Sequence, residues 1–146
     1  MNKLIKQILV PYDGTASSEK AIKYAFKLAS LHQSQILTLT CIKDQATFGF
    51  FRLKSDKKST EKQKEKAVKK IEMLKNHARE IGISLKSKII KCDVASKEII
   101  KYAKKENVDM IAMSKTKQGT TAEKIYNEST VDKVFREAPC TFIQIK

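Results

Sequence analysis

Two stretches carry residue types that can do chemistry. Asp13-Gly14-Thr15 follows the apolar run Ile8-Leu9-Val10, and Ser114-Lys115-Thr116-Lys117-Gln118-Gly119-Thr120-Thr121 follows Met110-Ile111-Ala112-Met113. Thr120 with Glu123 three residues on fits a capping box, which predicts that Ser114 to Gly119 lies just before a helix N-terminus. Free main-chain N–H groups, hydroxyls and two lysines at such a place suit a phosphate or sulfate. The same residues also suit an ordinary solvated loop. Reaction motifs are absent: there is no Gly-x4-Gly-Lys-Ser/Thr, no Gly-x-Gly-x-x-Gly and no His-Glu-x-x-His. His32 and His77 stand alone near predicted helix ends, with no ligand-type residue at metal spacing, and read as surface or boundary side chains. Cys140 follows Pro139 without an activating neighbour and reads as a small core hydrophobe.

The elements that must position these residues follow from hydrophobic periodicity. Strands are expected at Ile8 to Val10, Gln35 to Ile42, Ile83 to Lys91, Met110 to Met113 and Thr141 to Ile145. Between them, Ser17 and Ser18 precede a helix carrying Ala21, Ile22, Ala25, Phe26 and Ala29 on one face. A second helix is expected from about Thr60, with Ala67, Ile71, Leu74, Ala78 and Ile81 inward and Gly82 as its stop. A third spans Ser96 to Asn107, with Ile99, Ile100 and Ala103 inward, and a fourth spans Thr120 to Glu137. Asp44 to Ser59 shows no period, and its cluster Phe48-Gly49-Phe50-Phe51 suits a lid, an interface or a loop folded onto the core. Strands and helices alternating in this way bury best as one mainly parallel sheet with helices on both faces, so residues 1–146 read as a single doubly wound α/β domain. Ligands bind such sheets beyond the strands' carboxyl ends, where the strand order reverses, which here is where Asp13 and Ser114 fall.

Composition narrows the class. The chain has 146 residues, 41% hydrophobic and 32% charged, too apolar for disorder and too polar for a membrane protein. Its apolar runs are too short to span a bilayer, and Lys6 and Gln7 break the only stretch near the start that resembles a signal peptide. The three cysteines, Cys41, Cys92 and Cys140, are odd in number and far apart, which fits a reducing cytoplasm better than a disulfide framework. Thirty basic residues against sixteen acidic give +14. All but Arg52, Arg79 and Arg136 are lysine, a point charge poorly suited to reading bases, so either a sequence-independent polyanion surface or a merely lysine-rich composition fits. Arg52 to Lys70 concentrates this charge, with a net +6, and reads as a solvated loop and helix start.

The residues Ile8-Leu9-Val10-Pro11-Tyr12-Asp13-Gly14-Thr15, with Ser18, Ala21, Ala25 and Leu28-Ala29, resemble the opening of the universal stress protein family. The resemblance resumes at Cys92-Asp93-Val94-Ala95 and Val108-Asp109-Met110-Ile111-Ala112-Met113, and closes at Val131-Asp132-Lys133-Val134-Phe135-Arg136-Glu137-Ala138-Pro139-Cys140. It implies strand order 3-2-1-4-5, dimers joined through the last strand, and two classes. One class binds ATP through an opening Asp and a loop of the form Gly-x-x-Gly-x9-Gly-Ser/Thr; the other lacks the glycines and does not retain ATP. Here the Asp is Asp13, but Ser114 and Lys117 stand at the first two glycine positions and either Asn127 or Glu128 at the third. Counting from Met113 gives Asn127, whereas counting back from Pro139-Cys140 gives Glu128 followed by Ser129. The resemblance therefore implies a cytoplasmic, non-enzymatic stress-response module that binds ATP weakly or not at all. A nucleotide or small anion, if held, would meet Pro11, Asp13, Met113, Ser114, Lys117, Asn127, Ser129 and Thr130. Partners implied are a second copy through Thr141 to Ile145, with no metal and no membrane. The alternatives are a nucleotide switch of the same family, or a nonspecific nucleic-acid or polyanion binder.

Overall fold

The computed structural model describes residues 4–43, 54–115 and 130–146. In chain order the elements are β1 (Gln7–Pro11), α1 (Ala16–His32), β2 (Gln35–Lys43), α2 (Lys54–Glu80), β3 (Leu85–Cys92), α3 (Ala95–Lys105), β4 (Met110–Ser114), α4, described over 130–137, and β5 (Thr141–Ile145). The five strands form one parallel sheet in the order β3-β2-β1-β4-β5. The doubly wound α/β reading and its 3-2-1-4-5 order are those of the protein.

The alternation of side chains along each strand divides the core between the two faces. Ile8, Val10, Ile36, Ala112 and Ile145 pack against Ile22, Phe26, Ile71 and Leu74 of α1 and α2. Leu9, Leu37, Leu39, Ile111 and Met113 pack against Ile99, Ala103, Val131 and Val134 of α3 and α4. The central strand is the most enclosed: Ile8, Leu9 and Val10 are all fully buried. Asp109 fixes the entry to this sheet, its Oδ2 accepting from the main-chain N–H of Lys6 at 2.8 Å and of Gln7 at 2.9 Å.

Pairing along the sheet is uneven. β1 runs beside β2 for five register pairs, Gln7↔Gln35 to Pro11↔Leu39, but beside β4 for only Ile8↔Met110 and Leu9↔Ile111. The sheet therefore parts on the carboxyl side of Leu9 and Ile111, at the point where chain order reverses.

Most boundaries shift by a residue or so, and several differ for a physical reason. α1 starts at Ala16 with Thr15 as its N-cap, and Ser17 and Ser18 lie inside the first turn, because the Thr15 hydroxyl accepts from the Ser18 N–H at 3.3 Å. α2 begins at Lys54 rather than near Thr60, since lysine tolerates a helix without an apolar period to announce it. Its last inward residue is Ala78, not Ile81, which follows the helix and is 42% exposed. The Ile83 N–H returns to the Ala78 carbonyl at 2.8 Å around Gly82, whose φ of 74° is left-handed, so β3 starts only at Leu85. α3 likewise ends at Lys105, short of Asn107, which is itself left-handed at φ 51°. The Phe48-Gly49-Phe50-Phe51 cluster and the Thr120 capping box lie outside the described residues.

Candidate functional site

The parted end of the sheet is a cleft. Its floor and walls are Leu39 and Cys41 of β2, Ala95 and Ile99 of α3, Met113 of β4, Val131 of α4 and Ala21 of α1. Its rim carries Asp13, Thr15, Ser17, Ser18, Ser114 and Thr130. The space is about 230 Å³, well above the roughly 10–15 Å³ that one water needs, so it admits an organic group. Apolar walls with a few polar groups at one edge are the usual makeup of a small-molecule site.

Local hydrogen bonds hold the rim. Asp13 Oδ1 accepts from the Thr15 main-chain N–H at 3.0 Å and from its hydroxyl at 2.6 Å, closing a tight turn after β1. Gly14 makes that turn with φ 80°, a left-handed conformation that costs a side-chain-bearing residue energy. Lys70 of α2 reaches across to donate to the Gly14 carbonyl at 2.8 Å. On the opposite side, the Ser17 hydroxyl donates to the Ser114 carbonyl at 2.5 Å, tying the end of β4 to the first turn of α1. Beneath the rim the Tyr12 hydroxyl donates to Glu19 Oε1, and the Tyr12 carbonyl accepts from the buried Thr40 hydroxyl at 2.7 Å. Burial, reinforced by the Glu19 carboxylate, pushes the Tyr12 phenol well above its ordinary value, so it remains a neutral donor.

Lysine at the rim is less available than its abundance suggests. Lys115 Nζ lies 2.8 Å from Asp132 Oδ1 of α4, so its charge is already matched. Among the described residues there is no cluster of three or more His, Cys, Asp or Glu able to hold a metal. His32 ends α1 exposed, and His77 sets its ring edge-on to Phe26 at 5.2 Å, away from the cleft. Cys140 is half-buried against the α3 and α4 side of the core, and burial raises its thiol.

Of the residues expected at a ligand, Pro11, Asp13, Met113, Ser114 and Thr130 line this one cleft. Lys117, Asn127 and Ser129 lie outside the described residues. Leu39, Cys41, Ile99 and Val131 were not anticipated from sequence. For the first two a signal existed: Leu37, Leu39 and Cys41 alternate onto one face, and the last of them stands at the strand's carboxyl end.

A doubly wound parallel sheet with a cleft at its switch point places the chain in the α/β class, whose ligand sites lie beyond the strand ends. The model of the universal stress protein family matches residues 4–146, and the chain belongs to that family. A universal stress protein of Methanocaldococcus jannaschii is 26% identical over 143 residues, covering 98% of this chain and 83% of that one. The universal stress protein UspA from Lactobacillus plantarum superposes with a TM-score of 0.76 at 22% identity, over 99% of this chain and 100% of that one. A family member from Arabidopsis thaliana, solved with AMP bound, superposes with a TM-score of 0.66 at 17% identity, over 97% of this chain and 91% of that one. Among the described residues no helix is long and apolar enough to cross a membrane.

Proposed function

We propose that the protein is a cytoplasmic, non-enzymatic, homodimeric stress-response module whose cleft takes a nucleotide with few phosphates, or a small anion, in preference to ATP. The observation that carries this reading is the pairing of Lys115 with Asp132 at 2.8 Å beside a cleft with apolar walls and a rim of hydroxyls and one carboxylate. A triphosphate brought to this rim must either break that pair or remain beside the Asp13 carboxylate with little compensating charge. Ser114 and Lys117 add side chains where the ATP-binding class has glycine, restricting the approach of the main chain to phosphate. The apolar walls suit a base, and the rim hydroxyls with Asp13 suit a sugar or an amino group. That a family member of the same fold from Arabidopsis thaliana was solved with AMP bound supports a monophosphate as the ligand.

Titration calorimetry with ATP, ADP, AMP and sulfate tests this. AMP or sulfate should bind more tightly than ATP, and glycine at Ser114, Lys117 and either Asn127 or Glu128 should raise the affinity for ATP. Submicromolar binding of ATP by the unaltered protein would overturn the reading in favour of a nucleotide switch.

A further inference from the structure

A second concave surface lies away from the cleft, between α1 and the edge strand β5. Lys20, Lys23, Tyr24 and Lys27 form one wall, and Ile143 and Ile145 form the floor of a groove of about 450 Å³, within the roughly 300–1,000 Å³ of ordinary ligand sites. The helix residues fall at spacings of three and four and so share one stripe. That stripe is about 10 Å long, close to one Debye length at about 0.1 M salt, so the three charges act together on a neighbouring anion.

We propose that this groove holds single-stranded nucleic acid without reading its sequence, the three lysines taking phosphates and Tyr24 taking a base. Three observations converge. No carboxylate side chain lines the groove, and none of the three helix lysines pairs with a described acid. The one acidic residue of α1, Glu19, stands four residues before Lys23, but its carboxylate accepts from the Tyr12 hydroxyl. Tyr24 is 40% exposed in the middle of the lysines, an aromatic platform beside a cationic track, which is the pairing that binds single strands by stacking and charge. Lys146 also lines the groove, but the charge invoked is that of the three helix lysines. The site differs from the segment that sequence density favours. Over the described part of Arg52 to Lys70, Lys62, Lys64 and Lys66 are interleaved with Glu61 and Glu65. Strand pairing at β5 would use its main-chain edge, whereas the groove uses its α1 face.

Fluorescence anisotropy with a labelled oligo(dT) tests this, using two double variants that change net charge equally. Lys20→Glu with Lys27→Glu should weaken binding at least about tenfold, and Lys62→Glu with Lys64→Glu, exposed on α2, by less than about twofold. The logarithm of affinity should fall with that of salt at a slope of about −2, the value for three phosphates on a single strand. Tyr24→Ala should weaken single strands several-fold and leave a duplex of equal length unchanged. Equal loss in both double variants would reduce the effect to overall charge and overturn the proposal. So would an absence of binding at low salt. Polyglutamate binding as tightly as the oligonucleotide would overturn it in favour of an acidic protein partner.

Discussion

Cys41 stands where the cleft meets the sheet, and its surroundings oppose ionisation from several sides. Burial is the largest cause, followed by its hydrogen bond to the Cys92 thiol, and together they raise the Cys41 thiol far above its ordinary 9.0. The bond follows from register: Cys41 lies beside Ile90 of β3, and Cys92 is two residues further along the same face. The unfolded chain releases this proton near the ordinary value while the folded chain keeps it. Stability is therefore full below about pH 9 and declines as pH rises above it, by at most about 1.4 kcal/mol per pH unit from one group. Tyr12 adds a loss of the same sign above its ordinary 10.0. Urea midpoints measured between about pH 8 and about pH 10 should fall for the native protein and fall less for Cys41→Ala. Equal slopes would show that the thiol contributes nothing. At this scale the sequence was legible where chemistry is local: Asp13 and Ser114 could be located from strand ends. The clamps made by Asp109 on the Lys6 and Gln7 N–H groups, or by Lys70 on Gly14, were not, because they join residues that only the finished fold brings together.

The turn from β1 into α1 concentrates several constraints into three residues. Gly14 has φ 80°, Asp13 holds Thr15, and Thr15 caps the helix. A methyl group at Gly14 would also lie 2.7 Å from the end of the Lys70 side chain, which is flexible enough to move but would lose its bond to the Gly14 carbonyl. Gly82, at φ 74°, has nothing within 4 Å of such a methyl. Gly82→Ala should therefore cost the backbone strain alone, about 1–2 kcal/mol, and Gly14→Ala that amount plus the Lys70 contact. Denaturant unfolding of both variants checks this, and a Gly14→Ala protein as stable as the parent would refute the assignment. Periodicity made most elements legible, since an apolar face must repeat at 3.6 or at 2. The first turns of α2 were missed because Lys54 to Ser59 has no apolar face to repeat. The left-handed end of α1 at Gln33 escaped notice because glycine is the expected residue there.

Seen whole, the molecule leaves its last strand at one side of the sheet, with main-chain groups open to pairing. Beside it Phe135, 63% exposed, packs edge-on against Phe142 at 5.6 Å, apolar surface that a second copy would cover. Sedimentation at micromolar concentration should show a dimer, and Phe135→Lys, which charges that apolar surface, should shift it toward monomer. A monomeric parent protein would exclude association through β5. The topology itself was legible because alternation of strand and helix admits few arrangements, and the resemblance at both ends of the chain selected one. A different consequence follows from the short ladder between β1 and β4. With only two register pairs joining them, the cleft occupies a gap between strands and is not hollowed out of packed core. The register of β4 ends at Ser114, so the described ladder is complete without the loop that follows in sequence. Exchanging a loop glycine for a residue such as Lys117 therefore removes none of these rungs, so loop chemistry and sheet architecture are free to vary separately within the family.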